Sequence, residues 1–296
     1  MTTEQISCAP GSSTNEDLIA VVESDGVCDL VMLDGASSVA DTNYIDREHG
    51  DVAWFVRAFS AALAQANVPG MRQGGAVRRA VDAVRARYRA QAAGAAIPVY
   101  AYPLAALAWV RIRQRDDHLA LSLYCLGDCK VFAIDAAGAV RDLAPWVNPQ
   151  EAVLQGAIGA LTAEDLADPA LRRARLLPML RARRAAQHEA PAPNALCLAP
   201  QGEFDARETS VRLAPGSSVL VMSDGFYRLV DPYGLYTIET LAQRCRDGAL
   251  AALMDELRLF EKARAPGMLA VKNADDASAV LWTGQPLTEG MKNDVV

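Results

Sequence analysis

Residues 27–37 read Val-Cys-Asp-Leu-Val-Met-Leu-Asp-Gly-Ala-Ser, and the fold turns on this stretch. Residues 27–33 form a short, mostly apolar run of the kind that makes a buried strand. The run stops on Asp34-Gly35. Three more acidic motifs border apolar runs in the same way. Asn15-Glu16-Asp17 precedes LIAVV (18–22), Ser223-Asp224-Gly225 follows SVLVM (218–222), and Asn273-Ala274-Asp275-Asp276 precedes ASAVLW (277–282). A carboxylate at the mouth of a buried strand is costly to desolvate. Several brought together raise one another's pKa. A hard divalent cation relieves both problems, because oxygen donors suit magnesium, manganese or calcium. One Asp-Gly alone is ordinary turn chemistry. Four acidic motifs with these flanks point to a metal-dependent enzyme.

Outward from this stretch, strands are expected at 18–23 and 27–33, joined by a hairpin turn at Ser24-Asp25-Gly26. Val52, Phe55, Val56, Phe59 and Leu63 form the stripe of a helix starting near Asp51 and ending at Asn67-Val68-Pro69-Gly70. A second, arginine-rich helix covers about 75–93, its charges forming a solvated face. Strands follow at 104–112, 119–126 and 130–134, with Gly127-Asp128 as a tight link and Asp135-Ala136-Ala137-Gly138 closing the last. Residues 144–193 are proline-rich with short helical patches such as 171–184, and read as a partly helical surface insertion. Strands resume at 208–213 and 217–222. Helices follow at 237–246 and 249–263, broken at Asp247-Gly248, before a last strand at 277–282. Strands with hairpin-like links and segregated helices favour an α+β fold of antiparallel sheets over βαβ units. The expected organisation is a loose segment at 1–14, a single domain over 15–284 and a tail at 285–296.

Composition excludes other classes. The chain has 296 residues and about half of them are apolar, enough for a sizeable core. A net charge of −7 argues against a nucleic-acid partner. No apolar run approaches the roughly 20 residues that span a bilayer. Residues 1–10 carry no export signal, so a cytoplasmic setting is expected. The six cysteines (Cys8, Cys28, Cys125, Cys129, Cys197, Cys245) have no zinc spacing and read as reduced thiols. His49, His118 and His188 share no motif. A monomer is the default expectation.

With its motifs in this order, roughly residues 12–284 resemble the metal-dependent protein phosphatases (type 2C, the PPM family). The resemblance rests on Asn15-Glu16-Asp17, Asp34-Gly35, Gly127-Asp128 as a mid-chain hairpin, Ser223-Asp224-Gly225 and Asp275-Asp276. It implies a four-layer α-β-β-α sandwich of two antiparallel sheets flanked by helices. It also implies two Mn2+ or Mg2+ ions, with a position for a third. Asp34 would bridge two ions and the Gly35 carbonyl would bind the first, with Glu16 acting through water and Asp17 in support. Asp224 and Asp275 would hold the second ion, and Asp128 a third. Asp34, Asp224 and Asp275 would then act through a metal-activated water, a metal-bridging hydroxide attacking phosphorus. The sequence departs from the family at Ser12, where a phosphate-gripping arginine often stands, and at Ala36-Ser37-Ser38 after Asp-Gly. Arg47, Arg228 or the metals alone then become candidates for phosphate binding, with Arg228 favoured as a surface residue and Ser37 as a donor near the site.

The implied activity is a phosphoric monoester hydrolase acting on phosphoserine or phosphothreonine in proteins. Two alternatives remain: a phosphatase of a small phosphorylated molecule, and a catalytically weak module that binds a phosphoprotein. The three retained carboxylates speak against the module. Calcium binding without catalysis lacks an EF-type loop.

Overall fold

The computed structural model describes residues 1–24, 26–148, 151–263 and 274–285. Asp25 of the expected hairpin turn, Asn273 and nearly all of the 285–296 tail lie outside these residues.

The strands are β1 (Thr2–Cys8), β2 (Leu18–Ser24), β3 (Val27–Ala36), β4 (Leu104–Gln114), β5 (Leu119–Leu126), β6 (Lys130–Ile134), β7 (Val140–Asp142), β8 (Leu196–Cys197), β9 (Arg207–Leu213), β10 (Ser218–Met222) and β11 (Ala277–Thr283). The helices are α1 (Asp51–Ala66), α2 (Gln73–Ala92), α3 (Glu151–Gly159), α4 (Ala163–Ala167), α5 (Pro169–Glu189), α6 (Asp224–Tyr227), α7 (Ile238–Arg246) and α8 (Leu250–Ala263). One sheet has the order β1-β11-β10-β6-β7 and the other β2-β3-β4-β5-β9, with β8 pairing β4. Every pairing is antiparallel.

Alternation along β3 explains the layering. Cys28, Leu30 and Met32 point between the sheets, where they meet Val110, Leu121, Val131, Val221, Val280 and Trp282. Val31 and Leu33 point the other way, into Phe55, Phe59, Val77 and Val81 of α1 and α2. On the far side, Phe132, Leu220 and Leu281 meet Leu241, Leu253 and Leu257 of α7 and α8. The result is the expected four-layer α-β-β-α sandwich. One polar cluster lies within it: Asp29 accepts from Trp109 Nε1 (2.8 Å), Arg111 Nε (2.8 Å) and Asn67 Nδ2 (2.9 Å), tying the end of α1 to β3 and β4.

Several sequence expectations need correction. Residues 2–8, read as loose, are β1, a polar edge strand paired only with β11. Gly127-Asp128 is no hairpin. It carries the chain from β5 in one sheet to β6 in the other. Residues 171–184 are not a short patch but part of α5, a helix of 21 residues with Pro178 inside it. Pro169 stands at the first turn, where proline is tolerated, and Asp168 caps it by accepting from Ala170 N (2.7 Å).

Candidate metal and phosphate site

The acidic motifs meet at one rim of the sandwich, where the chain repeatedly passes between sheets. Glu16 and Asp17 lie between β1 and β2, Asp34 near the end of β3, and Asp128 between β5 and β6. Asp224 follows β10, and Asp275 and Asp276 precede β11. Strand-end acids from both sheets are thus gathered in one place.

Backbone contacts fix this rim. Asp224 N donates to Asp34 Oδ2 (3.2 Å), and Glu16 N donates to Asp276 Oδ2 (2.7 Å). Ser223 N donates to the Ser278 carbonyl (3.0 Å), while Ser278 N donates to Ser223 Oγ (3.0 Å). The glycines of the motifs follow from this closeness. A Cβ on Gly225 would stand 1.9 Å from the Asp276 carbonyl, and one on Gly35 would stand 2.5 Å from that of Glu16. Only glycine fits where two backbones touch in this way.

Crowding dominates the electrostatics. Burial, then Asp224, Asp17, Asp128 and Asp275, push Asp34 well above the carboxylate range. Burial raises Asp17 to about 7; the Ser223 and Ser278 hydroxyls oppose this, and Asp224 and Asp276 add to it. Asp224 also rises to about 7, through burial and then Asp128 and Asp275, with Arg228 opposing. Arg228 is not a surface residue as expected. It is 9% exposed, and its Nη2 donates to Asp275 Oδ2 (2.9 Å). Burial alone would lower its pKa, but Asp275 and Asp224 raise it, so it is an internal counter-ion. Arg47 is exposed.

Two cavities flank the chain as it leaves β3. One, of about 440 Å³, is lined by Glu16, Ser37, His49, Asp275 and Asp276 among others. Ser37 Oγ donates to Glu16 Oε2 (2.9 Å) there. The other, of about 600 Å³, is lined by Ala36, Asp128, Arg183 and Arg184 among others. The two α5 arginines are site residues that sequence reading missed. Their only signal was a cationic run within an acidic chain.

Among the described residues, no three Asp, Glu, His or Cys side chains form a ready-made metal cluster. The acids are gathered, but several of their oxygens are engaged with backbone N–H groups, Ser37 or Arg228. The donor set nevertheless fits a hard cation. It consists of oxygens whose negative charges oppose one another, and buried Asp17 Oδ2 has no hydrogen-bond partner.

The Protein phosphatase 2C profile matches residues 7–258. No curated protein matches the sequence. Among solved structures, the chain is similar to the Mycobacterium tuberculosis serine/threonine phosphatase PstP/Ppp, with a TM-score of 0.54 and 16% identity over 96% of this chain and 98% of that one. It is similar to the S. agalactiae serine/threonine phosphatase, with a TM-score of 0.55 and 14% identity over 95% and 98%. The PstP catalytic domain in complex with two manganese ions gives a TM-score of 0.52 and 17% identity over 95% and 96%.

Proposed function

Because the chain belongs to the protein phosphatase 2C family, we propose that it is a metal-dependent phosphoric monoester hydrolase acting on phosphoserine or phosphothreonine in proteins. The observation that carries this reading is the convergence of Asp17, Asp34 and Asp224, each raised by burial and by its acidic neighbours. A bound cation would relieve the repulsion among these acids and favour their ionised form.

In this reading Asp34 and the Gly35 carbonyl would hold a first Mn2+ or Mg2+, with Glu16 and Asp17 in support. Asp34, Asp224 and Asp275 would hold a second, and Asp128 would contribute to a third. Bound divalent cations supply an acidified water and neutralise charge on the phosphoryl oxygens. The chain's own residues do the rest. Arg228 orients Asp275 and offsets its charge. The Ser37 hydroxyl orients Glu16. The touching backbones at Gly35 and Gly225 prevent the acids from spreading apart. A cytoplasmic setting is part of the reading, supported by six free cysteines. Among the described residues no helix is long and apolar enough to cross a membrane.

A phosphatase of a small phosphorylated molecule is a second reading. The cavity of about 600 Å³ beside Asp128 favours it, since it matches the size of many small-ligand sites. Hydrolysis of p-nitrophenyl phosphate with and without Mn2+, in the native chain and in Asp224→Ala, tests the activity. Turnover that requires Mn2+ and falls at least about a hundredfold in the variant is expected. Manganese binding without turnover would sink the enzyme reading in favour of the binding module.

A further inference from the structure

The cavity beside Asp128 has an acidic floor and a cationic wall. Its floor, Gly127-Asp128, is held from two directions: Gly127 N donates to the Asn194 carbonyl (2.7 Å), and Arg207 Nη2 donates to the Gly127 carbonyl (2.8 Å). Arg207 also lies over the ring of Trp146, another lining residue, at 5.0 Å. Among the described lining residues Asp128 is the one acid, and Arg183 and Arg184 are the cations. The remaining wall is largely apolar, with Val39, Leu104, Met179 and Leu180.

Helix α5 is an unusual element for this chain. It carries six arginines against one glutamate, in a protein of net charge −7. It is pinned across the exit of β3. Arg181 Nε donates to the Val39 carbonyl (2.9 Å), and Arg184 Nη2 donates to the Ser37 carbonyl (3.0 Å). The bond to Ser37 uses one of the five N–H donors of the Arg184 guanidinium. Arg184 forms no salt bridge among the described residues, and burial lowers its pKa to about 10, with Glu16 opposing and Arg183 adding to the fall. It therefore remains a cation at neutral pH, half-buried and incompletely compensated. Such a guanidinium, held beside carboxylates that would repel a phosphate, is placed to attract one.

We propose that this cavity is a substrate subsite, in which Arg184, with Arg183, binds the oxygens of a phosphomonoester and the Val39–Leu104–Met179–Leu180 wall takes an apolar side chain next to the phosphorylated residue of a peptide. This rests on the phosphatase reading and deepens it. The apolar wall beside the arginine pair, which a free phosphorylated amino acid would leave uncovered, favours a peptide over a free small molecule.

The test is fluorescence anisotropy on the full chain in EDTA. The probes are a labelled phosphothreonine peptide with an apolar flank, its unphosphorylated twin, a phosphopeptide with serine flanks, and free phosphoserine as competitor. The native chain is expected to prefer the phosphorylated apolar peptide. Arg184→Ala should lose about tenfold of the phosphate preference, and Arg184→Lys should recover part of it. Leu180→Ser, which trims the apolar wall without adding charge one turn from Arg184, should lose the apolar-flank preference while keeping the phosphate preference. If Arg184→Ala melts early, Arg183→Ala carries the same expectation.

Phosphate preference intact in both arginine variants, or absent in the native chain, overturns the proposal. Free phosphoserine competing as well as the peptide overturns its peptide half. The two levels of failure are separable. Mn2+-dependent turnover with unchanged KM in Arg184→Ala would sink the subsite and keep the phosphatase. Phosphate-dependent binding lost in Arg184→Ala, without turnover in the native chain, would do the reverse.

Discussion

The acidic rim and the α5 insertion meet in the cavity beside Asp128, yet they are built by opposite means. At the rim, main chains touch so closely that Gly35 and Gly225 leave no room for a Cβ, and hydrogen bonds cross between distant segments. In the insertion, Gly156 and Gly159 of α3 meet nothing within 4 Å, Pro178 sits inside α5, and Val153 and Leu171 are exposed. Long side chains, chiefly arginines, join the insertion to the β3 exit. The difference teaches where each half of the chemistry is anchored. The anionic half is fixed by the sheets themselves. The cationic half is delivered by a surface helix that substitution can retune without disturbing the core.

The contrast breaks most visibly at Gly225. Gly225→Ala would force a Cβ against the Asp276 carbonyl, and the β10–α6 turn must move away from the strand that follows Asp276. A loss of roughly 3 kcal/mol in denaturant unfolding is expected, with Mn2+-dependent turnover abolished. An unchanged midpoint and rate would mean that the rim is no tighter than the insertion.

Arg228→Met should be nearly as damaging. It leaves Asp275 without its buried partner and takes a cation from beside Glu261, which is 3.8 Å away and keeps Arg258. About 3 kcal/mol is expected from chemical unfolding in EDTA. Saturating Mn2+ should return more stability to this variant than to the native chain, because the ion takes over Asp275. Equal Mn2+ stabilisation of both would argue against Asp275 as a ligand.

These two positions also mark how far the sequence could be read. Asp34 and Asp224 stood out because a carboxylate at a strand mouth beside glycine records two constraints at once, charge and close backbone, and Asp275 because it and Asp276 stand as an acidic pair ahead of an apolar run. β3 was legible as an apolar run closed by Asp-Gly, and α1 through its helical stripe. Arg228 was not, because a cation four residues past Asp224 has the same local sequence whether it turns inward or outward. β1 was missed because an edge strand with one partner needs little apolar content, and TTEQISC has little. α5 was read too short, as a patch at 171–184, because the surrounding prolines normally bound helices; here Pro169 stands in the first turn, and Arg181 and Arg184 bond the later turns to the β3 exit. Arg183 and Arg184 then had no visible site to face.

A smaller effect should appear in the pH dependence of the metal-free chain. Asp17 and Asp224, each raised from 3.8 to about 7, hold protons in the folded state that the unfolded chain releases. Unfolding free energy should therefore fall as pH rises through that window, and Asp34, also raised by burial and its acidic neighbours, acts in the same direction. His188, lowered by burial to about 4 from 6.5, works in the opposite direction between those values. Asp224→Asn removes one titrating carboxyl and should flatten the slope by up to about 1.4 kcal/mol per pH unit. Mn2+ should stabilise more at about pH 7.5 than at about pH 5.5, since protons compete for the same oxygens. A slope of the same sign and size in Asp224→Asn would show that the rim does not control it.

The smallest effect is the sharpest probe of the insertion. Gly156 lies inside α3, where a Cβ would meet open space, and glycine is a poor helix former. Gly156→Ala should stabilise the protein by roughly 0.5–1 kcal/mol, the reverse in sign of Gly225→Ala. The two substitutions add the same methyl group, so chemistry cancels and only the surroundings differ. Because no described residue of α3 lines either cavity, turnover of p-nitrophenyl phosphate should change little. Stabilisation without a change in rate would fit an insertion that tolerates change beside a rim that does not. Destabilisation by Gly156→Ala would mean that something closes over α3 in solution, and the insertion would then have to be treated as a packed layer of the domain.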